Sequence, residues 1–229
     1  MVFKSVLTKN WMTKRDLPGA LFTTFVMVLI LLSTSFVYLQ NIFDAGAWMA
    51  VSKEAVFQDH EYWRLWSALF AHGDLPHIFS NLFLFLPFAY YLSGYFGFWF
   101  FPFAGFLIGG LTNLIVISSL PAHVSLLGAS GVVYWMGGAW MTLAYLVDRR
   151  EKTGKRLVKS IGISMILFLP ESYKTQVSYS CHFIGFGLGM ISAMIMYYIH
   201  RKQYLAAEVI EYVVDEDVDF DWSGDEGKS

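Results

Sequence analysis

Between Leu75 and Val147 the chain runs for 73 residues without one Asp, Glu, Lys or Arg. A segment that long cannot be the interior of a water-soluble domain. Apolar helices cross a bilayer in about 20 residues, so such a run must fold back and forth through lipid. Two shorter stretches, 17–43 and 175–200, are also free of these charges. The hydrophobic share of 56% lies above the 45–50% usual for soluble domains, consistent with an integral membrane protein.

Six spans are predicted, at about 18–40, 76–95, 98–119, 129–147, 157–170 (closing at Pro170) and 178–199. The expected fold is therefore an all-α, polytopic six-helix transmembrane bundle. Lys4, Lys9, Lys14 and Arg15 precede the first apolar run, as in a signal peptide. That run is longer than an h-region and lacks a small-x-small cleavage site, so it reads as a retained first helix. The positive-inside rule tests the count. With the N-terminus inside, the inner segments hold twelve Lys and Arg, and the outer loops hold three: Lys53, Arg64 and Lys174. Both termini are thus expected in the cytoplasm, with a prokaryotic inner membrane as the expected location.

Three parts are expected: a cytoplasmic N-terminal segment 1–17, a membrane domain 18–200, and a cytoplasmic tail 201–229. Residues 208–229 carry nine acids and one lysine, too charged to build a core, and read as a solvated tail disordered towards its end. The alternative is that the acids dock on the chain's own basic hairpin at 148–159.

Polar groups inside a membrane need a reason. Ser130 lies 18 residues before Asp148, His182 lies 18 before His200, and His77 lies 17 before Gly94. At 1.5 Å per residue all three sit about 25–27 Å from one end of their helices, in one layer. Asn81 shares the face of His77. A Gly-x-Ser-Gly string alone arises by chance in roughly one such chain in ten; three spans delivering Ser, His and His/Asn to one depth is harder to treat as packing. Gly185, Gly189 and Ala193 form a small-xxx-small stripe that admits a close neighbour. The stripe expected to meet it is Ser130, Tyr134, Gly137 and Met141. With no carboxylate in the spans, the chemistry available is a dyad: Ser130 as nucleophile and His182 as its base. Asn81, His77 and the Ser130 backbone N–H are the candidate oxyanion donors, and the small Gly128 and Ala129 leave room for substrate. Cys181 is a poor rival nucleophile, because adjacent helical residues point about 100° apart. As the only cysteine it also forms no internal disulfide and no multi-cysteine metal cage.

These residues, taken in order, resemble the rhomboid intramembrane serine proteases. Trp63-Arg64 precedes the second span, and His72, His77 and Asn81 match H-x4-H-x3-N. GASG at 128–131 matches G-x-S-G, followed by Tyr134. His182, Gly185 and Gly189 match H-x2-G-x3-G of the last helix. The resemblance spans roughly 17–200. It departs at Ser93, where a glutamate is frequent, and at Cys181, where alanine is common.

The resemblance implies a helical bundle with a water-accessible cavity. Trp63 and Trp66 would anchor the 41–75 loop, partly in the membrane, and His72 would hold that loop. Substrates would be single-span membrane proteins cut after a small residue within the lipid bilayer, with no cofactor, no metal and no nucleic acid involved. His60 and His123 read as ordinary loop histidines. Two alternatives remain: a non-catalytic rhomboid-like protein that binds membrane clients, and a membrane cytochrome ligated by His77 and His182. The absence of H-E-x-x-H disfavours a metalloprotease.

Overall fold

The computed structural model describes residues 3–13, 16–168 and 179–214. Pro170, Lys174 and the acids from 215 onward lie outside these, as do Lys14 and Arg15. The structure is predominantly helical.

The first long helix, α1 (Leu17–Leu39), starts where the Asp16 carboxylate accepts the Gly19 N–H at 3.1 Å, with Pro18 in the first turn. Both are standard helix-start devices, since the first N–H groups have no partner within the helix. The connection that follows folds into short helices, α2 (Ala45–Trp48), α3 (Lys53–Phe57) and α4 (Arg64–Phe70). Arg64 pairs with Glu61 and donates to the Ala50 carbonyl, which ties this connection to itself. Trp66 lies directly over Gly110, where any side chain would collide with its indole.

Helix α5 (Leu75–Phe96) is capped by Asp74, which accepts the His77 N–H at 2.7 Å. A π-helical turn, Trp99–Ala104, leads into α6 (Gly105–Ser119). Helices α7 (Ser130–Val147), α8 (Thr153–Phe168) and α9 (Tyr179–Ala206) complete the bundle. Two-residue strands β2 (Val51–Ser52) and β3 (Ser125–Leu126) pair antiparallel, joining the two loops at the Ser130 end of the bundle.

Among the described residues, four spans are long and apolar enough to cross a membrane: Pro18–Leu39, Leu75–Phe96, Trp99–Ser119 and Tyr179–Ala206. They carry exposed Leu21, Phe22, Phe25, Phe79, Phe83, Ile195 and Ile199, an apolar surface suited to lipid rather than water. Helices α7 and α8 coincide with the fourth and fifth expected segments without meeting that criterion. Glycines and Thr142 dilute the hydropathy of α7, but every residue from Gly131 to Ala139 is buried, so protein rather than lipid surrounds it. Helix α8 is short and carries Lys155, Arg156 and Lys159 in its first two turns.

Helix α9 runs past the expected boundary at residue 200, to Ala206. The tail then begins as strand β4 (Val209–Val214), exposed along its length and antiparallel to β1 (Phe3–Lys9). Val209, Ile210, Tyr212, Val213 and Val214 interrupt the acids and supply β propensity. Arg149 of the basic hairpin grips Glu208 through two hydrogen bonds of 2.9 and 2.6 Å, so the first acid of this region docks where the alternative placed it. The N-terminal segment is fastened by Trp11, which donates to the Tyr95 carbonyl at 2.7 Å, and by Asn10, which donates to Asp148 at 2.8 Å.

Candidate active site

Helix α7 opens at the one place where its first turn can be held from two sides. Gly128 has φ +119°, a conformation that disfavours every other residue. Its N–H donates to the Ala68 carbonyl at 2.8 Å. The next N–H, of Ala129, donates to His72 Nε2 at 3.3 Å. Ser130 therefore begins α7 from an anchored turn and is half-buried, whereas its neighbours on both sides are buried.

A Cβ on Gly128 would lie 2.7 Å from His77 Cε1, 2.8 Å from His77 Nε2 and 3.7 Å from Asn81 Nδ2. The His77 ring thus packs directly against the Gly128 backbone, with the Asn81 amide beside it, an approach that only a glycine permits. Asn81 is buried and His77 half-buried, one turn apart on α5.

Helix α9 meets α7 backbone to backbone. A side chain at Gly185 would strike the Gly131 carbonyl, and one at Gly189 would strike the Trp135 carbonyl. The small stripe on α9 is therefore a contact surface, as its spacing predicts. On α7 the residues that meet α9 include Gly131, Trp135 and Gly138, with Gly138 against the Phe186 carbonyl, each one position beyond the expected Ser130, Tyr134 and Gly137. Consecutive helical residues differ by about 100°, so identifying the face to one residue requires the actual helix rotation. Tyr134 does reach its target: its ring stacks on His182 with centroids 3.9 Å apart and planes 9° from parallel. His182 is buried at 2% exposure, three residues before Gly185. Trp135 Nε1 adds a bond to Ser192 Oγ at 3.1 Å further along the same pair.

His72 is fully buried and meets three elements. Its Nδ1 lies 2.9 Å from Ser35 Oγ of α1, and its Nε2 lies 2.9 Å from Asn81 Nδ2 as well as accepting from Ala129. Burial, then the neighbouring His77, pushes its pKa down to about 3, against an opposite pull from Asp74. The imidazole is thus neutral. The expectation that His72 holds the loop understated its reach, and Ser35 was not foreseen. A serine inside an apolar helix normally bonds its own preceding turn, so nothing in the sequence marks it. His60 pairs with Tyr62 at 3.2 Å and His123 is exposed, both away from these groups.

Residues 59–199 match the Rhomboid domain family. The chain belongs to the rhomboid family. The match covers more than half of the sequence and takes in His72, His77, Asn81, Ser130, Tyr134 and His182, while Ser35 lies outside it. No individual curated protein sequence matches the chain. Together with its four apolar spans, membership of the rhomboid family makes this an integral membrane protein.

Proposed function

We propose that this rhomboid-family chain is an intramembrane serine protease that cuts single-span membrane proteins after a small residue. The observation that carries the reading is the close approach of α7 and α9 at Gly131 and Gly185. Gly131 follows Ser130 directly, Gly185 is three residues from His182, and Tyr134 is stacked on the histidine, which supports pairing the two.

In this reading His182 removes the Ser130 hydroxyl proton as Oγ attacks the substrate carbonyl carbon. The tetrahedral oxyanion forms beside the Gly128–Ser130 turn. There it takes hydrogen bonds from Asn81 Nδ2, a His77 ring N–H and the Ser130 backbone N–H. Collapse breaks the carbon–nitrogen bond, and His182 gives its proton to the departing amine. Water, deprotonated by the same imidazole, then hydrolyses the Ser130 ester. The expected six spans, with both termini cytoplasmic, would put the site towards the outer face.

The test is covalent labelling of the purified protein by a fluorophosphonate, together with cleavage of a single-span membrane substrate. Both should be lost in Ser130→Ala and in His182→Ala while the protein stays folded. Undiminished cleavage by Ser130→Ala would refute the mechanism. A folded wild-type protein that neither labels nor cleaves, yet retains membrane clients, would favour the non-catalytic reading.

A further inference from the structure

The groups around His72 determine its tautomer. The Ala129 backbone N–H can only donate, so Nε2, at 3.3 Å, must present its lone pair. The remaining ring proton is then on Nδ1 and points at Ser35 Oγ, 2.9 Å away. The Ser35 hydroxyl is free to accept it because its own proton is directed at the Phe70 carbonyl, 3.4 Å away. The neighbouring Thr34 hydroxyl also donates to that carbonyl, so α1 grips the end of α4 through two adjacent residues. Since Nε2 is an acceptor, the Asn81 group 2.9 Å from it must be the amino end of the amide and not the carbonyl. An amide nitrogen carries two protons. With one given to His72, the other belongs to a nitrogen beside the Gly128 turn, 3.7 Å from where a Cβ on Gly128 would stand.

We propose that His72, held in one tautomer by Ser35 of α1, is a positioning residue that orients the Asn81 amide N–H and the Ala129–Ser130 turn towards the oxyanion. The proposal rests on the protease reading and extends it in two ways. It gives the first helix a part in the site, through a residue outside the matched rhomboid domain. It also explains why a buried histidine sits beside the proposed dyad without being placed to take the Ser130 proton: its lone pair is already occupied by two N–H groups.

The experiment uses the full-length protein in bicelles, with a fluorophosphonate as probe, because its phosphoryl oxygen needs the same donors as a peptide oxyanion. Ser35→Ala should slow Ser130 labelling on the order of tenfold, the effect of one misdirected hydrogen bond. His72→Leu should slow it further. His72→Gln, whose side-chain carbonyl can accept both N–H groups, should restore it. In an Asn81→Ala background Ser35→Ala should cost nothing more, because the residue through which it acts is gone. Nitrogen-15 spectra of histidine-labelled protein should show His72 protonated on Nδ1 alone, and a mixed tautomer in Ser35→Ala.

Equal labelling rates for wild type and Ser35→Ala would overturn the proposal. So would a Ser35→Ala effect that persists in full without Asn81. Failure of the wild type to label would instead remove the protease reading. The tautomer measurement would still decide the relay, since a proton found on Nε2 contradicts it whatever the activity.

Discussion

Tyr134 and His182 are stacked ring on ring, 3.9 Å between centroids and 9° from parallel, across the backbone-to-backbone contact of α7 and α9. One flat face of the imidazole is therefore covered, and the ring can turn only by losing that contact. An aromatic pair of this kind contributes about 0.5–1.5 kcal/mol beyond its buried area. Tyr134→Phe should keep the stack and most of the labelling rate, whereas Tyr134→Ala should lower the rate roughly threefold to tenfold. Fluorophosphonate labelling of folded variants measures both, and equal rates for Ala and Phe would remove the stack from the mechanism.

Gly128 is the residue whose lack of a side chain lets His77 and Asn81, the proposed oxyanion donors, lie against the start of α7. In Gly128→Ala the new methyl would press on His77 at 2.7–2.8 Å, from a backbone at φ +119°. Denying the oxyanion its donors should cost on the order of 10²–10³ in rate, well beyond the accompanying loss of stability. Asn81→Ala should fall in the same range. Cleavage of a single-span substrate, normalised to folded protein, is the measurement.

Gly189 and Gly187 are two residues apart on α9 and should respond in opposite ways. A Cβ at Gly189 meets the Trp135 backbone, which cannot move aside as a flexible side chain would, whereas nothing lies within 4 Å of one at Gly187. Gly189→Ala should destabilise by about 1–3 kcal/mol through overpacking. Gly187→Ala should be neutral or slightly stabilising, since alanine favours the helix. Thermal unfolding in detergent distinguishes them, and similar midpoints would show that α7 and α9 are not in backbone contact.

His72 should make the fold acid-sensitive in a defined direction. Unfolded, it takes a proton near pH 6.5; folded, it resists protonation down to about pH 3. The unfolded state therefore binds more protons within this window, so stability falls as pH drops from 6.5 towards 3 and is fully present above it. His72→Gln carries no such group, and the gap in unfolding midpoint between wild type and variant should narrow below pH 6.5. A gap unchanged between pH 7.5 and 4.5 would contradict a buried, neutral imidazole.

The helical segments were legible because a bilayer imposes length and apolarity directly on the chain: the expected spans at 76–95 and 129–147 differ from α5 and α7 by no more than one residue at either end. The heights of His77, Ser130 and His182 along their own helices could be counted for the same reason, since rise per residue converts counting into height. Helix rotation could not be counted, and on α7 it is Gly138, one position beyond the expected Gly137, that meets the Phe186 carbonyl of α9. Strand β4 was hidden because its pairing with β1 joins residues about two hundred positions apart, and the acids around it dominated its reading.

By itself, the sequence determined that this chain lives in a membrane, and its counting pointed to Ser130 and His182 as the pair to test. Only the tertiary structure decided that Ser35 of α1 reaches His72, that His72 reaches Asn81, and that Gly128 lets His77 pack against the start of α7 beside Asn81. The reason is physical. Depth and periodicity are properties of one helix at a time, whereas a hydrogen bond between helices depends on how each is turned and how closely two backbones can approach.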